Sequence, residues 1–130
     1  MGDGGVTIVT TPGHTPGTLS LTFQVKDHGK PLTVIYPGGT AFNFPDDVAH
    51  YDIYIASQHK MAALTAATHP SVLLTNHSEF DDAWTKTRLL RARQPGDPNP
   101  FENGAEAVAR YFTVTGECAE ARRLELMGKR

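Results

Sequence analysis

Alternation with a period of two dominates the first third of the chain, and helical spacing governs most of the rest. Val6-Thr7-Ile8-Val9 is β-branched throughout and predicts a strand. It runs into Thr11-Pro12-Gly13-His14-Thr15-Pro16-Gly17, where two prolines and two glycines exclude regular structure. Leu19, Leu21, Phe23 and Val25 then alternate with Ser20, Thr22 and Gln24, the pattern of a half-buried strand. Asp27-His28-Gly29-Lys30 turns the chain and residues 32–36 return, so 18–36 reads as a hairpin. After Pro37-Gly38-Gly39-Thr40 and the irregular aromatic stretch 41–45, a helix is expected to be capped near Pro45-Asp46-Asp47 and to reach about Thr68, where Pro70 stops it. Val48, Tyr51 and Ile55 fall on one side of it, with Tyr54, Met61 and Leu64 close by. Val72-Leu73-Leu74, wholly apolar, fits a buried strand reached by that crossover helix, and it ends at Thr75-Asn76-His77-Ser78. Residues 80–93 turn helical with Trp84 and Leu89-Leu90 as apolar anchors. The proline-rich break 94–101 leads to a last helix over 104–127, with Val108, Phe112 and Val114 as core candidates. Strand, hairpin, helix, strand, helix, helix is an α/β arrangement with helices packed on a sheet.

At 130 residues and 14.1 kDa the chain has room for one small domain and one core, which excludes a two-domain enzyme. Its 39% hydrophobic and 20% charged residues are ordinary globular material, and no apolar run approaches the ~18 residues of a membrane span. A net charge of −2 argues against nucleic acid or an anionic membrane as partner. The charge is lopsided, −5 over residues 1–85 and +3 over 86–130. Arg88, Arg91, Arg93, Arg110, Arg122 and Arg123 read as solvated helix faces rather than a binding patch. Cys118 stands alone, which rules out an intrachain disulfide and a Cys-rich metal site. Met1-Gly2-Asp3-Gly4-Gly5 lacks the charged and apolar regions of a signal peptide and does not read as a natural domain edge.

Six histidines remain to be sorted. His28 sits in the hairpin turn, His50 and His59 lie nine residues apart on one helix, and His69 precedes a proline; all four read as surface residues. His14 and His77 differ, because each follows a strand and sits in the loop at its end, where ligand-bearing residues concentrate. Pro12-Gly13 and Pro16-Gly17 clamp His14 from both sides, and Asn76 and Ser78 flank His77 with polar groups able to orient it. Two imidazoles at strand ends of one sheet could reach a zinc ion, yet a catalytic zinc usually keeps about three protein ligands.

The segment Thr11-Pro12-Gly13-His14-Thr15-Pro16-Gly17-Thr18-Leu19-Ser20, after a strand and before a hairpin, resembles the TPGHTPG segment of the metallo-β-lactamase fold. Gly38-Gly39-Thr40, the long helix and the strand ending in Asn76-His77 follow in that family's order, so the resemblance covers essentially the whole chain. It implies an α/β fold that is half of an αββα sandwich, a mixed β-sheet with helices on one face. Residues 1–130 would then be the C-terminal portion of such a domain. It further implies that His14 binds the first of two zincs and His77 the second, with Thr11, Thr15, Asn76 and Ser78 as candidates to orient them or face substrate. Where many family hydrolases carry a metal-bridging Asp, Gly38-Gly39-Thr40 stands, as in the lactamase branch whose second zinc takes an Asp and two His. The family's HxHxDH motif, which supplies most metal ligands, is nowhere in these 130 residues.

Three readings follow. In the first, the chain is the C-terminal part of a zinc-dependent hydrolase acting on a small-molecule substrate, with little or no turnover alone. In the second, it is a non-catalytic module that pairs with a complementary half or with a copy of itself through an open sheet face. In the third, which ranks last, His14 and His77 act with Glu79 or Asp81, although acids at a helix start more commonly serve as caps. Substrate and compartment stay open, with a periplasmic or secreted parent allowed.

Overall fold

A computed structural model describes residues 4–128. Residues 1–3, part of the stretch read as lacking a signal peptide, and the charged pair Lys129 and Arg130 lie outside the described residues. Strands β1 (Val6–Thr10), β2 (Leu19–Asp27) and β3 (Lys30–Tyr36) form an antiparallel meander in which Ile8 pairs with Leu21 and Phe23 with Val34. The β2–β3 turn uses His28 and Gly29, both at positive φ (48° and 87°), matching the right-handed twist of the strands it joins. Strand β4 (Val72–Leu73) lies parallel to β3 and completes the order β1-β2-β3-β4.

A parallel pair needs a long crossover. Helix α1 (Val48–Thr68) supplies it, capped by the Asp47 carboxylate accepting from the His50 N–H at 2.9 Å and closed by His69 in the left-handed conformation before Pro70. Helices α2 (Ser78–Asp81), α3 (Ala83–Ala92) and α4 (Ala105–Gly128) follow.

Helices α1 and α4 pack together over one face of the sheet. Ile35 and Leu73 from the sheet meet Met61, Val108 and Phe112, with Val9 at the margin, and Tyr51, Tyr54, Ile55 and Ala119 extend the helix–helix contact. Cross-strand pairing puts Val9, Ser20, Thr22, Ile35 and Leu73 on this face. The alternation in β2 is therefore used in the opposite sense to the usual one: Ser20 is 1% exposed while Leu19 is 47% exposed. The inward hydroxyls are satisfied, Ser20 by Thr11 and Gly38 and Thr22 by donating to the Val34 carbonyl at 2.9 Å, so their burial leaves no orphaned polar group.

Three other expectations change. The helix expected over 80–93 breaks at Asp82 (φ 55°), and no residue of α3 is buried; Trp84 is 74% exposed because α1 and α4 already fill the helical layer. Val114 is exposed, since it lies about 200° around the helix from buried Phe112. Arg93 is not a solvated helix residue either. Its guanidinium bonds Asp27 at 2.7 Å with both side chains largely covered, tying the hairpin turn to the loop after α3. Arg122 and Arg123 pair with Asp46 and Asp52, linking the end of α4 to the start of α1.

The Arg93 hydrogen bond holds the Asp27 carboxyl below its ordinary value of 3.8. A carboxylate depressed in the folded state stabilises the protein above the unfolded pKa, and that contribution fades as pH falls through the folded one. Asp27→Asn is therefore expected to lower stability at neutral pH and to flatten the loss of stability between neutral pH and the depressed pKa, as read from urea midpoints along a pH series.

Candidate functional site

Strands β1, β3 and β4 run in one direction and β2 opposes them, so the loops after β1, β3 and β4 emerge at the same edge of the sheet. His14, Gly38-Gly39-Thr40 and Asn76-His77 are carried by those three loops.

The first loop is closed at its neck by the Thr11 N–H donating to the Thr18 carbonyl at 2.9 Å. Inside it the Thr15 N–H donates to Thr18 Oγ1 at 2.9 Å, and the Thr15 and Thr18 hydroxyls are also bonded. Helix α1 anchors it from below: Ser57 Oγ donates to the Pro12 carbonyl at 2.6 Å and Lys60 Nζ to the Thr10 carbonyl at 2.9 Å. Gly13 lies so close to α1 that a Cβ there would come within 2.6 Å of the Tyr54 Cα, and its φ is +140°. Only glycine meets both conditions.

His14 Nδ1 lies 3.0 Å from the Ala41 carbonyl oxygen. A carbonyl oxygen only accepts, so Nδ1 carries a proton, and the tautomer this contact selects is the one with its lone pair on Nε2. The carbonyl is itself held in place. Tyr54 Oη donates to the Thr40 carbonyl at 3.1 Å, the Tyr111 and Thr40 hydroxyls meet at 2.5 Å, and Phe42 and Phe44 pack on Tyr51 and Tyr54 at ring distances of 5.0–5.6 Å. Burial pushes the Tyr111 phenol up to about 12 and raises that of Tyr54, so both stay protonated donors near neutrality.

Gly38 and Gly39 are where the histidine-bearing loops converge. A Cβ on Gly39 would fall 2.4 Å from the His14 Cβ. The Gly38 N–H donates to Ser20 Oγ at 3.1 Å, Ser20 Oγ bonds Thr11 Oγ1 at 2.7 Å, and Asn76 Nδ2 donates to the Gly38 carbonyl at 3.4 Å. Thr11 and Asn76 thus act on the backbone that seats the histidines, whereas the exposed Thr15 acts within its own loop. His77 precedes α2 with its ring exposed and edge-on to Phe80 at 6.0 Å, and its carbonyl accepts from Thr75 Oγ1 at 2.6 Å. Ser78 opens α2 and accepts through its carbonyl from the Asp82 N–H at 2.8 Å.

Asp81 is 6% exposed, and its carboxylate accepts from the Thr75 N–H at 2.7 Å and the Ala83 N–H at 3.0 Å. It braces the loop carrying His77 rather than offering oxygens to a ligand or simply capping a helix, while Glu79 is exposed in the first turn of α2. Sequence reasoning did not identify Thr40, Ala41, Tyr54 and Ser57 as supports. The aromatic stretch 41–45 was the available signal, but a backbone carbonyl leaves no mark in a sequence.

Among the described residues no three His, Cys, Asp or Glu side chains are grouped to hold a metal ion. The two imidazoles by themselves do not make a zinc site. The His14 arrangement, with one ring nitrogen on a carbonyl and the other free, does suit one ligand of a larger set.

No protein-family model and no curated protein matches the sequence. Solved structures do. The chain is similar to BJP-1, a subclass B3 metallo-β-lactamase of Bradyrhizobium japonicum, at TM-score 0.76 and 26% identity, over 99% of this chain and 48% of that one. Native FEZ-1 metallo-β-lactamase from Legionella gormanii superposes at TM-score 0.77 and 22% identity over 94% of this chain and 46% of that one. A Cronobacter sakazakii metallo-β-lactamase does so at 0.72 and 22%, over 98% and 49%. The chain spans about half the length of these structures and has the fold of half a metallo-β-lactamase, a mixed four-stranded sheet with helices.

Proposed function

We propose that this chain is the C-terminal part of a zinc-dependent, metallo-β-lactamase-like hydrolase, acting on an amide, lactam or ester carbonyl of a small molecule, and that it does not turn over substrate alone. The observation that carries this reading is the seating of His14: its Nδ1 proton is committed to the Ala41 carbonyl, and its free Nε2 stands at the sheet edge from which the His77 loop also emerges. The order of the TPGHTPG, Gly-Gly-Thr and Asn-His segments supports the C-terminal assignment. A groove of about 810 Å³ lined by Phe42, Phe80, Tyr111, Val114 and Arg110 adjoins Thr40 and the residues after His77, and it is of a size that takes small molecules.

In a completed site, zinc would acidify a bound water and polarise the scissile carbonyl. This chain's part is positional. His14 and His77 would each offer one imidazole, the Ala41 carbonyl selects the His14 tautomer, and Asn76 ties the His77 loop to Gly38 in the loop after β3. The missing HxHxDH ligands would have to come from other residues.

The chain with added zinc is expected to retain no stoichiometric metal through dialysis and to leave a chromogenic β-lactam intact. Co-refolded with an N-terminal half bearing HxHxDH from a similar lactamase, it is expected to gain zinc-dependent turnover that His14→Ala and His77→Ala each reduce at least 100-fold. Turnover by the isolated chain contradicts the proposed inactivity; a folded complex whose activity ignores both substitutions contradicts the assigned ligands. A second reading, a non-catalytic pairing module, is favoured by the open apolar face of the sheet.

A further inference from the structure

The segment between β3 and α1 is positioned without a hydrogen-bond ladder. Among the described residues, no backbone–backbone hydrogen bond involves residues 39–44. A stretch of this kind takes its place from the side chains that meet it. Here they come from two helices. Tyr54 of α1 donates to the Thr40 carbonyl at 3.1 Å, and the Tyr111 hydroxyl of α4 meets the Thr40 hydroxyl at 2.5 Å. Thr40 is 8% and Tyr54 2% exposed, so water is not at hand to replace either contact. Thr40 is thus gripped at its side chain and at its carbonyl. The next carbonyl along the chain is that of Ala41, which accepts from His14 Nδ1 at 3.0 Å.

That contact works against the preference of the ring. A neutral imidazole side chain free in water holds its proton mostly on Nε2, and a hydrogen bond at one nitrogen is what shifts the balance. His14 is only partly buried, so nothing but the Ala41 carbonyl keeps the proton on Nδ1. Hydrogen bonds weaken steeply beyond about 3.5 Å, and a shift of Ala41 by about half an ångström would release the ring. The released ring would carry its proton on the nitrogen that a metal needs bare.

We infer that Tyr111 and Tyr54 are positioning residues for His14: by gripping Thr40 they hold the Ala41 carbonyl where it keeps the His14 proton on Nδ1 and leaves Nε2 open to a ligand. The inference rests on the reading of His14 as one ligand of a larger set. It gives α4, which carries none of the residues singled out from the sequence as site candidates, a part in the site.

Nitrogen NMR of the His14 ring in the zinc-free chain tests it, at a pH about two units above the ordinary histidine value so that the ring is neutral. The unaltered chain is expected to show the Nδ1–H form. Tyr111→Phe keeps the ring and removes only the hydroxyl; it is expected to lower the ratio of Nδ1–H to Nε2–H about tenfold, the equivalent of one hydrogen bond. Thr40→Val and Tyr54→Phe are expected to act likewise. Tyr111→Phe with Thr40→Val should shift the ratio no further than either alone, because both remove the same contact. Thr115→Val is the control: it removes another α4 hydroxyl, which donates to Gln58 Oε1 at 2.8 Å, and should lower the urea midpoint while leaving the His14 tautomer unchanged. An Nε2–H ring in the unaltered chain overturns the proposal. So does a tautomer indifferent to Tyr111→Phe and Thr40→Val, or one shifted equally by Thr115→Val, which would mark a general loosening. The measurement uses neither zinc nor substrate. A co-refolded complex without turnover therefore counts against the hydrolase reading alone, and an indifferent tautomer in a complex that does turn over counts against the positioning role alone.

Discussion

Gly38→Ala is expected to destabilise the protein by about 3 kcal/mol, the upper range for forcing an atom into filled space. A Cβ at this position would sit 1.9 Å from the Leu19 carbonyl oxygen and 3.0 Å from the Thr18 Cγ2. The first obstacle is backbone in an antiparallel pair, so relief requires moving β2 or the end of β3, not rotating a side chain. Either movement disturbs the Gly38 N–H bond to Ser20 and the Asn76 bond to the Gly38 carbonyl, which tie the junction to β2 and to the His77 loop. Urea denaturation should show the loss, and the His14 ring resonances should shift with it. Gly17→Ala is the control: nothing lies within 4 Å of a Cβ there and its φ is not positive, so it should stabilise by about 0.4–1 kcal/mol by restricting the unfolded chain. Equal effects at the two glycines would refute the account of the Gly38-Gly39 junction.

Phe112→Ala is expected to cost about 4 kcal/mol. Its ring is buried where Ile35 and Leu73 of the sheet meet Met61 of α1 and Val108 of α4, so its removal leaves a cavity that elements from both layers would have to collapse to fill. Domains of this size are stable by roughly 5–15 kcal/mol, and the change should lower the Tm by about 15 °C. Val114→Ala, two residues along the same helix and exposed, should stay within about 0.5 kcal/mol. A small effect at Phe112 in calorimetry would mean that α4 is not part of the cooperative unit.

The histidine sorting carries the clearest lesson about the site. The loop-end placement of His14 and His77 was legible because prolines, glycines and strand ends are local signals, and the fold brings their loops to one edge. Thr11 and Asn76 were legible as neighbours, but their actual partners, Ser20 and the Gly38 carbonyl, lie 9 and 38 residues away. The tautomer of His14 depends on a carbonyl 27 residues downstream, which an aromatic cluster on α1 positions. Asp81 read as a helix cap because capping is the local use of an acid at that place; one carboxylate oxygen does take the Ala83 N–H that opens α3, while the other braces the loop before it.

By itself the sequence determined where the strands, the turns and the long helices fall, though not the break at Asp82, because φ restriction at proline, freedom at glycine and side-chain periodicity act within a few residues. It also determined that β2 has one apolar and one hydroxyl-bearing side. Which side faces the helices was settled only by the tertiary structure. A period of two says that the faces differ, while the layer that covers each depends on α1 and α4, tens of residues away. Ser20 and Thr22 can lie inside because Thr11, Gly38 and Val34 satisfy their hydroxyls, and the apolar side is thereby left outward. A local pattern cannot encode that exchange, because its energy resides in contacts that exist only after the chain has folded.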